Sequence, residues 1–174
     1  LLRDSEEGAS AMMNELGFYT LAGQPKSPRD LIDEVRTGEA LGLGSAFISE
    51  RFNVKEAATL SGAVGAVSTR LGIATAATNH NTRHPMVTAA YAMTMHRLTD
   101  GRFSLGLGRG IAPMFKAYGL PKVTTAQLED FVGILRRLFR GETVFAHDGP
   151  AGRYPLLSLG PDYAGEIPLT FTAF

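Results

Sequence analysis

The chain has 174 residues, is 44% apolar and 20% charged, and carries no net charge, which is the profile of an ordinary globular chain with material for one core. Zero cysteines exclude disulfides, thiolate metal sites and a cysteine nucleophile, and neutrality leaves no electrostatic footprint for nucleic acid or an anionic membrane. The sequence also lacks the roughly 18 consecutive apolar residues that a membrane-spanning helix needs.

The opening "LLRDSEEGASAMM" is acidic and has no basic-then-apolar leader, so residues 1–13 read as a tail and 14–174 as the domain. "LGFYTL" (16–21) predicts a first strand, aromatic and closed by Gly23 and Pro25. "SPRDLIDEVRTGEALGLG" predicts a helix with Ser27 as N-cap, Pro28 in its first position and Asp30 completing a capping box. "SAFISE" (45–50) is the second strand, and Asn53 with Glu56 opens a second helix rich in small residues. "LGIATAATN" (71–79) is the third strand, without polar alternation, as expected where both faces are covered. A helix over 84–98 begins at Pro85, and "RFSLGLG" (102–108) is the fourth strand. Thr124 and Gln127 box the start of a helix whose Leu128, Phe131, Val132, Leu135, Leu138 and Phe139 form one apolar stripe. Residues 143–158 predict an inserted hairpin around Asp148–Gly152, and "IPLTFTAF" (167–174) is the fifth strand.

Alternating strands and helices imply parallel pairing with right-handed crossovers. An open doubly wound sheet and a (β/α)8 barrel both fit, and since a whole barrel takes roughly 250 residues, this chain would hold only its first five strands. A final apolar strand with no covering helix predicts that it is part of a longer protein.

The glycines of "LGLGRGIAP" do not spell a dinucleotide fingerprint, because Gly106, Gly108 and Gly110 alternate and Pro113 follows within three residues. Two readings stay open: a tight turn after the strand, or a backbone that a flat ring approaches closely. His80 and His84 lie on a loop without neighbouring carboxylates, which favours loop or cap roles over a metal site. Glu50 and Arg51 end the second strand, at what would be the active rim of a barrel, and read equally well as catalytic groups or as a rim ion pair.

Taken together, "GFYTLAG", "ISERFNVKEA", "IATAATNHNTRHP" and "LTDGRFSLGLGRG" resemble the luciferase-like monooxygenase superfamily, and more closely its branch that uses coenzyme F420, an 8-hydroxy-5-deazaflavin. The resemblance runs from Asn14 to Phe174 and implies an α/β fold of the (β/α)8 TIM-barrel type. It further implies a homodimer, a small-molecule substrate and hydride transfer, with no nucleic acid, membrane or metal involved. It places Glu50 and Arg51 at the catalytic positions, with Arg51 standing where the family has a histidine. Asn53 and His80 fall at the substrate rim, and Ala76, Ala77, Thr78, Asn79, Gly108, Arg109 and Gly110 at the cofactor. A cis peptide near Ala76–Ala77 is expected from the same source, whereas the carboxylate that some relatives carry in the glycine loop is missing. FMN is the alternative cofactor, a non-catalytic barrel fragment is the alternative role, and a cytoplasmic location is expected.

Overall fold

The structure, a computed structural model, describes residues 12–171. Residues 1–11 of the expected tail and 172–174 of the expected last strand lie outside them. The main sheet contains β1 (Met13–Tyr19), β2 (Leu43–Ile48), β3 (Gly72–Thr75), β4 (Thr78–Asn79), β5 (Phe103–Gly108) and β8 (Leu169–Phe171), all parallel. Its helices are α1 (Asp30–Ala40), α2 (Ala57–Val67), α3 (Pro85–Leu98), the short α4 (Ala112–Ala117) and α5 (Thr125–Phe139). β6 (Val144–Gly149) and β7 (Gly152–Leu157) form a separate antiparallel hairpin.

Strand neighbours follow chain order, from β1 through β2 and β3 to β5 and then β8. This is the sequential parallel winding of a barrel. The barrel is not closed among the described residues, where β1 and β8 pair on one side only.

The core lies between the sheet and the helices. Ala46 and Ile48 of β2, Ile73 of β3, and Phe103, Leu105 and Leu107 of β5 are buried with Leu31, Val35, Val64, Ala92 and Leu135 of the helices. Burying each large side chain of this kind contributes roughly 1.5–3 kcal/mol. The opposite face carries Ser45, Phe47, Gly72, Ala74, Ser104 and Thr170, which line an open concavity of about 330 Å³.

Local signals hold where tertiary contacts do not compete. Thr124 and Gln127 form the expected capping box on α5. At α1 the box is displaced: Ser27 Oγ accepts from Arg29 N (3.1 Å) and Asp30 Oδ2 from Ser27 N (3.2 Å). Both bonds close a tighter preceding turn, held by Asp30 N–Ser27 O and Leu31 N–Pro28 O bonds, so the α-helix starts at Asp30. At α2 the N-cap is Glu56 itself, whose carboxylate accepts from Ala58 N and Thr59 N (3.2 and 2.7 Å). Asn53 lies instead in a turn closed by the Arg51–Lys55 bridge. The first strand begins at Met13, earlier than Leu16, because it pairs with Leu43 of β2.

The third strand is broken. The bond between Ala76 and Ala77 is cis, and the pairing offset to β5 shortens by one residue between Ile73↔Phe103 and Thr78↔Leu107. This is a bulge, stitched to β2 by Ala76 N–Ile48 O (2.7 Å) and Glu50 N–Ala77 O (3.0 Å). Across it, Thr75 Oγ1 donates to Gly106 O and accepts from Gly106 N, both at 2.8 Å. Gly106 is required for this approach, because a Cβ there would overlap Thr75 O.

Two glycine substitutions should therefore shift stability in opposite directions. Gly106→Ala is expected to cost about 1–3 kcal/mol from overpacking against backbone. Gly133→Ala, in the exposed middle of α5 with nothing near its Cβ site, should add about 0.5–1 kcal/mol. Urea unfolding of the two variants checks both signs.

Candidate active site

The carboxyl ends of β1, β2, β4 and β5 meet the β5–α4 connection around a cleft of about 550 Å³. In a parallel barrel this is the end at which catalytic groups collect. Its floor is backbone with little side chain: Ala76 and Ala77 at the bulge, then Gly108 at the end of β5. One wall is apolar. Phe52 stacks on Phe115 with ring centroids 6.2 Å apart and meets Tyr118 edge-on at 5.8 Å, and Ile111 and Met114 extend the wall. Short α4 provides most of it, with Pro113 in its first turn, where the missing N–H costs nothing. α4 was not among the elements expected from the sequence.

The Glu50 side chain is 4% exposed, and both carboxylate oxygens accept hydrogen bonds. Oε1 accepts from Ala57 N (3.2 Å), while Oε2 accepts from Thr78 Oγ1 (2.7 Å) and Arg83 Nη2 (2.9 Å). Arg83 also pairs with Glu56 and donates from Nη1 to Thr78 Oγ1 (2.7 Å). Burial acts to lower the Arg83 pKa, but its bonds and charges to Glu50 and Glu56 outweigh that and raise it above the ordinary value. Glu50 lines the cleft, and with both carboxylate oxygens tied to Ala57, Thr78 and Arg83 it also serves as an anchor. It does form an ion pair, but with Arg83 and not with its chain neighbour Arg51.

Arg51 lies at the cleft and donates to Gly23 O (2.8 Å), leaving most of its guanidinium donors for other partners. Asn53, Thr78, Asn79 and Gly110 also line the cleft. Gly110 has φ +71°, and a Cβ there would collide with the Phe115 ring, so it serves the turn that seats α4.

Two expected residues lie elsewhere. Arg109 does not line the cleft; it donates to Thr125 Oγ1 (3.3 Å) at the start of α5. His80 is buried behind the bulge, its ring 4.9 Å from that of Phe131, beside a separate cavity of about 200 Å³. Burial lowers its pKa. His84 is the N-cap of α3, its Nδ1 accepting from Met86 N (3.2 Å).

Three cleft features escaped the sequence reading. Arg83 lay within a quoted motif, but its partners Glu50 and Glu56 are far away in the chain. Tyr19 ends β1, and its hydroxyl bonds Ser49 Oγ. Lys55 is buried, gives its ammonium to Thr20 O and Leu21 O, and sits 4.1 Å from the Tyr19 ring centroid. Burial is the main force lowering the Lys55 pKa. The position of Tyr19 at a strand's carboxyl end was the one signal available.

With this geometry in place, comparison with known proteins identifies the chain. The profile of the luciferase-like monooxygenase family matches residues 9–173, and the chain belongs to that family. It is 25% identical over 167 residues to 5,10-methylenetetrahydromethanopterin reductase of Methanopyrus kandleri, covering 92% of this chain and 46% of that protein. It is 29% identical over 170 residues to the F420-dependent glucose-6-phosphate dehydrogenase of Mycobacterium avium, covering 89% and 50%. The chain spans about half the length of these curated relatives. Among solved structures, the coenzyme F420-dependent tetrahydromethanopterin reductase of Methanopyrus kandleri superposes with a TM-score of 0.73 at 18% identity, over 91% of this chain and 49% of that one. The oxygenating constituent of 3,6-diketocamphane monooxygenase of Pseudomonas putida, in complex with FMN, superposes with 0.64 at 22% identity, over 80% and 42%. No helix among the described residues is long and apolar enough to cross a membrane. No metal-binding cluster occurs among the same residues.

Two stability outcomes follow. Arg83→Met strands the buried Glu50 carboxylate and should cost about 3–5 kcal/mol in urea unfolding, well above the cost of Arg51→Met. His80 has a folded pKa below its unfolded value, so its contribution is present above about pH 6.5 and is lost as pH falls toward the folded pKa. Urea midpoints measured between pH 7.5 and 5 should fall, and His80→Phe should flatten that slope.

Proposed function

We propose that this chain forms the cofactor-facing half of a barrel that transfers a hydride between coenzyme F420 and an organic substrate. The observation that carries the reading is the cleft floor. Ala76, Ala77 and Gly108 present backbone and methyl groups only, opposite an aromatic wall, which suits a flat tricyclic ring lying against the bulge. Relatives of the chain named as F420-dependent support the choice of ring. When bound, a deazaflavin supplies a two-electron hydride carrier.

This chain's own residues then do the positioning. Phe52, Ile111, Met114 and Phe115 exclude water from one side of the ring. Arg51, the one cation among the described residues lining the cleft, orients an anionic group of cofactor or substrate. The Glu50–Arg83 pair keeps the floor in register from beneath. Residues 108–111 of the glycine loop contain no carboxylate, so the loop shapes the site without donating a proton.

FMN, held by one solved neighbour of this fold, is the second reading. Fluorescence titration of the protein with oxidised coenzyme F420 and separately with FMN tests both. Saturable quenching by F420 with weak FMN competition is expected. Saturation by FMN alone replaces the first reading with the second, and silence from both overturns the cofactor assignment.

A further inference from the structure

We propose that Tyr19, assisted by Ser49 and Lys55, is the proton donor of this cleft; the carbonyl substrate it would serve is the class on which relatives named as ketoreductases act. This rests on the hydride-transfer reading above.

The glycine loop carries no acid, and the carboxylate of Glu50 is held as an ionised acceptor by Ala57 N, Thr78 and Arg83. The remaining acidic hydrogens at the cleft floor are hydroxyls. Tyr19 and Ser49 both line the cleft, their hydroxyls are bonded to each other, and Tyr19 is 44% exposed. The third member is Lys55. Its buried ammonium is fixed by Thr20 O and Leu21 O and lies 4.1 Å from the Tyr19 ring centroid. A phenolate left after proton donation therefore faces a fixed cation, while Ser49 keeps the phenol oxygen pointed along one direction. Phenol, hydroxyl and ammonium come from three separate places: the end of β1, the residue after β2, and the turn before α2.

The step balances. The substrate carbonyl carbon gains a hydride from the reduced deazaflavin, and the C=O π electrons become a lone pair on oxygen. The Tyr19 O–H bond breaks, its proton goes to that oxygen, and the phenolate takes a proton back from solvent at the open side of the cleft. The reverse direction oxidises an alcohol with Tyr19 as base. The wall of Phe52, Ile111 and Met114 selects an apolar body for that carbonyl.

The test needs no cofactor in its first arm. Benzenesulfonyl fluoride transfers its sulfonyl group to an activated phenol: an O–S bond forms, fluoride leaves, and the phenol proton is released to solvent. Tyr118 is the internal control, since it lines the same cleft and is 49% exposed. Peptide mapping by mass spectrometry should show Tyr19 labelled at least tenfold faster than Tyr118, with the excess reduced in Ser49→Ala. Equal labelling of the two tyrosines overturns the proposal. In the second arm, Tyr19→Phe loaded with reduced F420 should lose about 100-fold in kcat for acetophenone reduction while its F420 affinity stays within about twofold. Retained kcat overturns the donor role. A wild-type protein that labels selectively at Tyr19 yet binds no deazaflavin overturns the hydride reading alone, so the two failures are read from separate measurements.

Discussion

The cleft depends on one buried ion pair. Glu50 and Arg83 are 4% and 14% exposed, and neither charge tolerates that burial unpaired. Their contact joins four pieces of chain: the end of β2, the bulge at Ala76–Ala77, the start of α2 and the loop entering α3. Thr78 is shared by both partners, which ties the residue just after the cis bond to the charge centre. Removing either charge loosens the bulge, the helix start and the loop together. Such a network sets geometry more than it adds stability, which is what a site built on backbone surfaces requires.

The same constraint sorts the residues that surround it. Glu50 and Arg51 both border the cleft, but the Glu50 carboxylate is tied to Ala57, Thr78 and Arg83 while Arg51 bonds only the Gly23 carbonyl from one nitrogen. Strand alternation separates Gly108 from Arg109, and Asn79 from His80: one faces the cleft and its neighbour faces α5. The cleft thus collects mainly backbone, aromatic carbon and hydroxyl groups, with Arg51 as its one cation among the described residues and Arg83 and Lys55 outside its lining. The polar chemistry left facing the cavity is sparse, and this gives Tyr19, Ser49 and Arg51 their weight.

The winding, the boundaries of α3 and α5 and the location of the cleft were legible in the residues. Those features follow from local periodicity and from caps such as Thr124 with Gln127. Ser27 and Asn53 misled because a capping pattern specifies a turn, and neighbouring contacts decide whether the helix starts there or one turn later. The break in the third strand was carried by family resemblance, since "IATAATN" shows no local sign of it. α4 was hidden by Pro113, which looks the same in sequence whether it breaks a helix or starts one. The roles of Arg83, Lys55 and Tyr19 depend on partners more than twenty residues away, which no window of sequence displays.

The hairpin of β6 and β7 stands on Val144 and Leu157 at its buried base, and near its tip Asp130 of α5 binds His147 Nε2 (3.0 Å) and Ala151 N (2.8 Å). Tyr154 on it meets His84 edge-on and shares with Arg83 and His80 the cavity behind the bulge. Between base and tip, Phe145 and Leu156 are exposed among the described residues. Tyr154 is different: mutation there is transmitted through the shared cavity to the guanidinium that holds the cleft floor. The hairpin thereby borders the far side of the charge pair, so a change on it reaches toward the cleft floor without altering a residue that lines the cleft.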